Sequence, residues 1–224
     1  MLIAITAATT VTVASWEQGR WRLGLFVSPR IALRDLAIGL LFAAVLIAIS
    51  DALIVASTGM RHARGSGMPW LELVTVFIPA AVHEELLFRG YGYQKLRTWS
   101  RGGAIAITSS VFALLHGNNS GATALAIANI FLAGILLAMA YEAGQRLWLP
   151  IGIHLGWNVA SGPILGYDVS GYVSGMTLFT TRGGGPQWLT GGVFGIEGSV
   201  WLVIVELAGI AVMMRRVTTV QENT

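Results

Sequence analysis

The sequence predicts an all-α membrane protein, a polytopic transmembrane helical bundle of about seven spans. Three observations predict it. The 224 residues are 54% hydrophobic and only 11% charged, where soluble domains carry about 25% charged residues. The mean hydropathy is +0.68. Apolar stretches recur along the whole chain, and short polar connections between them hold most of the arginines. The length fits a single membrane-embedded domain over 1–224, with N-terminal spans in 1–57, a core at about 70–200 and a last span at 199–214.

Seven apolar segments can be delimited, at about 1–16, 36–57, 71–94, 102–117, 121–141, 149–165 and 199–214. Several fall short of the ~20 residues that cross hydrocarbon untilted. No positive side chain precedes the first, since the first arginine is Arg20, so it reads as a short or truncated span rather than a cleaved leader. The third is apolar from Leu71 to Val82 and then runs through a charged motif toward Lys95 and Arg97. Gly117-Asn118-Asn119-Ser120-Gly121 reads as a tight helix–helix connection. Pro150 stands near the start of the sixth segment, where proline is tolerated. The connection 166–198 is rich in glycine, and its Trp188 and Leu189 suit a membrane surface.

The arginine and lysine bias of the loops sets an orientation. With the N-terminus outside, the inner loops and tail hold Arg20, Arg22, Arg30, Arg34, Lys95, Arg97, Arg101, Arg146, Arg215 and Arg216. The outer side keeps Arg61, Arg64 and Arg182. This places the C-terminus in the cytoplasm. A single Lys95 among many arginines, with abundant alanine and glycine, suggests a bacterial source and hence a plasma membrane. The net charge of +3 does not point to nucleic acid, because the basic residues are scattered over loops rather than clustered on one face. The absence of cysteine excludes disulfides, thiolate nucleophiles and Cys-ligated zinc.

Chemistry concentrates in Val82-His83-Glu84-Glu85-Leu86-Leu87-Phe88-Arg89-Gly90. Ionised groups at bilayer depth cost roughly 2.5–3.5 kcal/mol each even on insertion scales, so so many in one and a half turns mark a site. Glu85 and Arg89 are spaced i, i+4 in the favourable order, giving Glu85 a built-in counter-charge. Glu84 is rotated about 100° away and lacks that partner. An unpaired carboxylate of this kind suits a general base or acid. Both could instead be structural ion-pair members.

Two further motifs end or begin apolar helices. Phe112-Ala113-Leu114-Leu115-His116 carries a histidine that, alone, would read as packing. In His154-Leu155-Gly156-Trp157-Asn158, His154 and Asn158 stand one turn apart. Such a pair can hold a developing oxyanion, or it can act as an interhelical polar clasp. Counting from Lys95, Arg101 and Arg146 puts Glu84, His116 and His154 roughly 16, 22 and 12 Å from the inner boundary, all within a ~30 Å core. The string His83-Glu84-Glu85-Leu86-Leu87 resembles the start of HExxH but has leucine at its last position. Glu84, His116 and His154 could still ligate zinc as two imidazoles and a carboxylate. Alternatively, Glu84 and His116 activate a water directly. Asp51, Glu206 and Asn129 read as interhelical hydrogen-bond partners, and His62, beside Arg61 and Arg64, as a solvated loop residue.

Glu84-Glu85-xxx-Arg89, Phe112-xxx-His116 and His154-xxx-Asn158 together resemble the three motifs of the CPBP (Abi) intramembrane proteases, which include type 2 CAAX prenyl endopeptidases. The stretches Asn129–Gly134, Tyr141 through Leu149-Pro150-Ile151-Gly152, and Leu189–Ser199 extend the resemblance over roughly 70–200. It implies an intramembrane endopeptidase acting on a membrane-tethered peptide or protein. Glu84 and His116 would activate water, His154 and Asn158 would support the oxyanion, and Glu85 and Arg89 would shape the site. It implies either Zn2+ or a metal-free glutamate mechanism. Loop charge suggests access from the cytoplasmic side. Two other classes fit the same residues: a proton- or ion-coupled transporter using Glu84, Asp51 and Glu206, and a non-catalytic peptide-binding immunity or scaffold protein. No inverted repeat of the kind many transporters carry is evident.

Overall fold

The computed structural model describes residues 24–222. The expected first segment, 1–16, lies outside the described residues. Helix α1, Pro29–Thr58, opens with proline at its first turn and ends where Gly59 takes φ 69°, its amide bonded to the Val55 carbonyl. Strand β1, Arg61–Arg64, follows.

The expected third segment, 71–94, is not one helix. It comprises α2, Trp70–Glu72, a π-helical turn at Leu73–Phe77, α3, Ile78–Phe88, and a separate α4, Tyr91–Arg97. The breaks have local causes. Pro79 has no N–H to give and crowds the carbonyl one turn back, so the preceding turn widens. Gly90 leaves helical geometry at ψ −139° and caps α4.

Helix α5, Arg101–Leu115, is capped by the Ser100 hydroxyl accepting from the Gly103 amide, and it runs into a 3-10 turn at His116–Asn118. Helix α6, Ala124–Gly144, is capped in the same way by Thr123. Helix α7, Trp148–Val159, continues as a π-helical turn at Ala160–Ile164, again around a proline, Pro163. Strand β2, Phe179–Arg182, pairs antiparallel with β1 in the register Arg61–Arg182. Helix α8, Gln187–Thr190, and 3-10 turns at Gly192–Phe194 and Ile196–Gly198 lead into α9, Val200–Glu222.

The fold is mainly helical, and two described helices, α1 and α6, are long and apolar enough to cross a membrane. The seven crossings expected from the sequence are therefore seen only in part. The core is mainly apolar, but large apolar side chains are also exposed and several charged ones are buried. Leu41, Leu71, Val74 and Leu114 are exposed, while Glu85, Arg89, Asn129, Glu142 and Glu206 are buried. Contiguous exposed apolar surface of this kind needs an apolar neighbour.

Helices α1 and α7 make the closest crossing. A Cβ on Gly152 would lie 2.5 Å from the Leu36 carbonyl oxygen, and one on Gly156 would lie 2.8 Å from Leu40 Cα. Gly152-xxx-Gly156 thus brings two backbones together, as small residues do in membrane helix pairs. This crossing fixes the height of His154. At one end of the bundle Glu142 accepts from Arg97 and the Tyr93 hydroxyl, and Arg101 lies beside it, while Asp35 accepts from Arg146. The turn 117–121, the β-ribbon and much of 166–198 lie at the other end.

The readings of the remaining polar residues divide. Asn129 is an interhelical donor, giving its amide hydrogens to the carbonyls of Glu197 and Ser199. His62 is not solvated: Nε2 lies 2.8 Å from Asp51 Oδ1, which also accepts from the Tyr167 hydroxyl at 2.7 Å. Within β1 both His62 and Ala63 are half-buried between exposed Arg61 and Arg64, which spacing in a polar-looking loop does not reveal. Glu206 is fully buried and its carboxylate has no hydrogen-bond partner among the described residues.

Candidate active site

Glu84 and Glu85 share the last turn and a half of α3 but face different surroundings. Glu85 is completely buried, and its Oε1 accepts from Arg89 Nη1 at 3.0 Å. Arg89, equally buried, donates through Nη2 to the Gly134 carbonyl at 2.7 Å and stacks over the Phe112 ring at 5.3 Å. Gly134 is needed there because a Cβ would lie 2.8 Å from Ser109 Cβ of the neighbouring helix. The expected i, i+4 pair is therefore present, and it is anchored to a third helix as well.

His154 stands between the two carboxylates. Its Nδ1 is 2.9 Å from Glu85 Oε1 and its Nε2 is 3.7 Å from Glu84 Oε2. Glu85 Oε1 is an acceptor, so Nδ1 carries the proton and Nε2 faces Glu84. His116, at the end of α5, sets its Nδ1 2.8 Å from the Phe112 carbonyl. A carbonyl only accepts, so the neutral His116 ring holds its proton on Nδ1 and leaves the Nε2 lone pair free. Phe112 touches both imidazoles, tilted against His116 with ring centroids 4.7 Å apart and edge-to-face with His154 at 6.1 Å.

These groups meet in one cavity of about 220 Å³. Glu84, His116, His154 and Asn158 all line it, so four side chains from α3, α7 and the turn after α5 share one space. Glu85 and Arg89 lie behind that wall. The rest of the lining is apolar, from Val76, Phe77 and Ala80 on one side to Ile130, Ala133 and Leu137 on the other. A second polar wall comes from Asn119, Ser170, Tyr172 and Glu197. These residues belong to the end away from Arg97, Arg101 and Arg146, and the connections 97–101 and 145–148 contribute nothing to the lining. Among the described residues, Glu84, His116 and His154 included, no three His, Asp or Glu side chains are gathered closely enough to hold a metal ion.

Residues 66–160 match the Rce1-like family. Its model is described as type II CAAX prenyl endopeptidase Rce1-like. The resemblance read from the three motifs agrees with this match, and all six motif residues fall inside the Rce1-like stretch. An Escherichia coli protein described as an uncharacterized 24.3 kDa protein is 33% identical over 88 residues, 38% of this chain. The match spans 40% of that relative's length. No solved structure matches.

Sequence reasoning gives no role to Glu197, Ser170 or Trp157, of which Ser170 and Glu197 lie beyond the matched stretch 66–160 and Trp157 within it. The available signal for Glu197 was an acid flanked by apolar and glycine residues in a long connection. That connection supplies one wall of the cavity.

Proposed function

We propose that this chain is an intramembrane endopeptidase that hydrolyses a peptide bond of a membrane-associated protein or peptide. The observation that carries the reading is the convergence of Glu84, His116, His154 and Asn158 on one cavity inside a bundle with an apolar exterior. The endopeptidase description of the Rce1-like family supports it. We further read the bundle as lying in a bacterial plasma membrane, with its N-terminus outside and its C-terminus in the cytoplasm, on the basis of the arginine bias.

A water held between Glu84 and the Nε2 of His116 gives a proton to the Glu84 carboxylate as its oxygen attacks the scissile carbonyl carbon. General-base assistance of this kind is worth about 10²- to 10⁴-fold in rate. The new C–O bond places negative charge on the former carbonyl oxygen. The Asn158 amide donates to that oxyanion, and so does His154 Nε2 when the ring carries both protons. A doubly protonated His154 is what the flanking carboxylates of Glu84 and Glu85 suit. The C–N bond then breaks, and the proton first taken from water passes to the leaving amine. Glu85 and Arg89 hold His154 in the orientation the step needs. No step is routed through a metal, because the side chains do not form a ligand set.

The test is cleavage of a fluorogenic transmembrane peptide by the purified chain in liposomes. Cleavage that is lost in His116→Ala with folding retained supports the reading. Ion flux without cleavage would favour a transporter instead.

A further inference from the structure

Glu197 closes a hydrogen-bonded brace between the two histidine motifs. Its Oε1 accepts from Trp157 Nε1 at 3.0 Å, beside Asn158 and one turn from His154. Its Oε2 accepts from both the backbone amide and the hydroxyl of Ser170, the latter at 2.7 Å. The Ser170 carbonyl in turn accepts from Asn119 Nδ2 at 2.9 Å, and Asn119 directly follows the 3-10 turn that begins at His116. The Glu197 carbonyl is itself held by Asn129 of α6 at 2.7 Å. The path from His116 to Asn158 outside the covalent chain therefore runs Asn119, Ser170, Glu197, Trp157. Glu197 is 4% exposed and lines the cavity wall without being one of the groups assigned to the reaction.

We propose that Glu197 is a positioning residue, which fixes the separation of His116 from His154 and Asn158 by tying Ser170 to Trp157. The role rests on the protease reading for its catalytic consequence, but the brace is independent of it. The chemistry requires a carboxylate. Three donors converge on two oxygens, and a carboxylate is the side chain that only accepts. A glutamine at this position would turn its NH₂ against either the Trp157 N–H or the Ser170 N–H, whichever way it is flipped. A misplacement of about 1 Å in a catalytic constellation costs on the order of 10²-fold in rate.

The experiment compares full-length wild type, Glu197→Gln and Ser170→Ala in bilayer nanodiscs by hydrogen–deuterium exchange and by cleavage of the fluorogenic peptide. Glu197→Gln is expected to speed exchange in 117–121 and 166–172 together, and to lower kcat about 10²-fold with KM unchanged. Ser170→Ala loses only the hydroxyl donor, so it moves both readouts the same way by less. It decides the matter if Glu197→Gln does not fold. Wild-type exchange and kcat in Glu197→Gln would overturn the proposal. So would faster exchange confined to 166–172 with KM rising instead of kcat falling, the mark of a simple wall residue. If wild type cleaves nothing, the protease reading fails alone, and the coupled exchange of the two segments still decides the brace.

Discussion

One oxygen of Glu85, Oε1, holds both His154 Nδ1 at 2.9 Å and Arg89 Nη1 at 3.0 Å. Its other oxygen has no hydrogen-bond partner among the described residues. The adjacent glutamates therefore divide their work. Glu85 holds an imidazole from behind, whereas Glu84 presents its carboxylate to the cavity, with His154 Nε2 3.7 Å away.

Breaking the buried Glu85–Arg89 pair should unfold the core of the site. Removing one partner of a buried ion pair costs about 3–5 kcal/mol, because the other charge is stranded. Arg89→Met is expected to lower stability by that order in an unfolding titration in detergent. Arg89→Lys should be intermediate, since an ammonium lacks the planar fork that reaches Glu85 and the Gly134 carbonyl together. Equal stability of wild type and Arg89→Met would contradict the role given to the pair.

Gly156→Leu should pry α1 from α7. The new Cβ alone meets Leu40 Cα and its carbonyl oxygen at 2.8 Å, both backbone atoms that cannot step aside. Overpacking of this sort costs typically ~1–3 kcal/mol and more when backbone must move. Gly117→Ala is the control, because its Cβ would meet nothing within 4 Å. Thermal melting should separate the two variants clearly.

Glu206 is buried without a hydrogen-bond partner among the described residues. An unsatisfied buried polar group costs about 1–3 kcal/mol, and an apolar group of similar shape removes that penalty. Glu206→Met is therefore expected to raise the melting temperature and leave cleavage unchanged. Loss of cleavage with stability retained would instead assign Glu206 to the reaction.

Exhaustive dialysis against a chelator should leave turnover unchanged, because Glu84, His116 and His154 do not gather as a ligand set. Activity that disappears and returns on adding zinc would reverse that expectation.

The sequence made the residues that line and back the cavity legible and left the framework that positions them hidden. Glu84, Glu85, Arg89, His116, His154 and Asn158 stood out because polar groups at regular helical spacing are costly in apolar segments. The i, i+4 rule gave the Glu85–Arg89 pair directly. Apolar content alone cannot separate one helix from two, so it does not reveal the break at Arg89–Gly90. Pro79 was the available signal for the π-helical turn. Gly152-xxx-Gly156 was equally available as a close-packing pattern. Glu197 and Ser170 were beyond local reasoning, because their partners, Trp157 and Asn119, are brought to them by the return of a long loop.

The most direct test of the central claim is turnover by purified Glu84→Gln beside wild type, each reconstituted with a fluorogenic membrane peptide and each checked for folding by its melting curve. The substitution keeps the shape of the side chain and removes its capacity to take a proton. A folded Glu84→Gln with cleavage reduced by about 10²-fold or more is the predicted result. A folded variant that cleaves at the wild-type rate would show that the cavity carboxylate does not activate water.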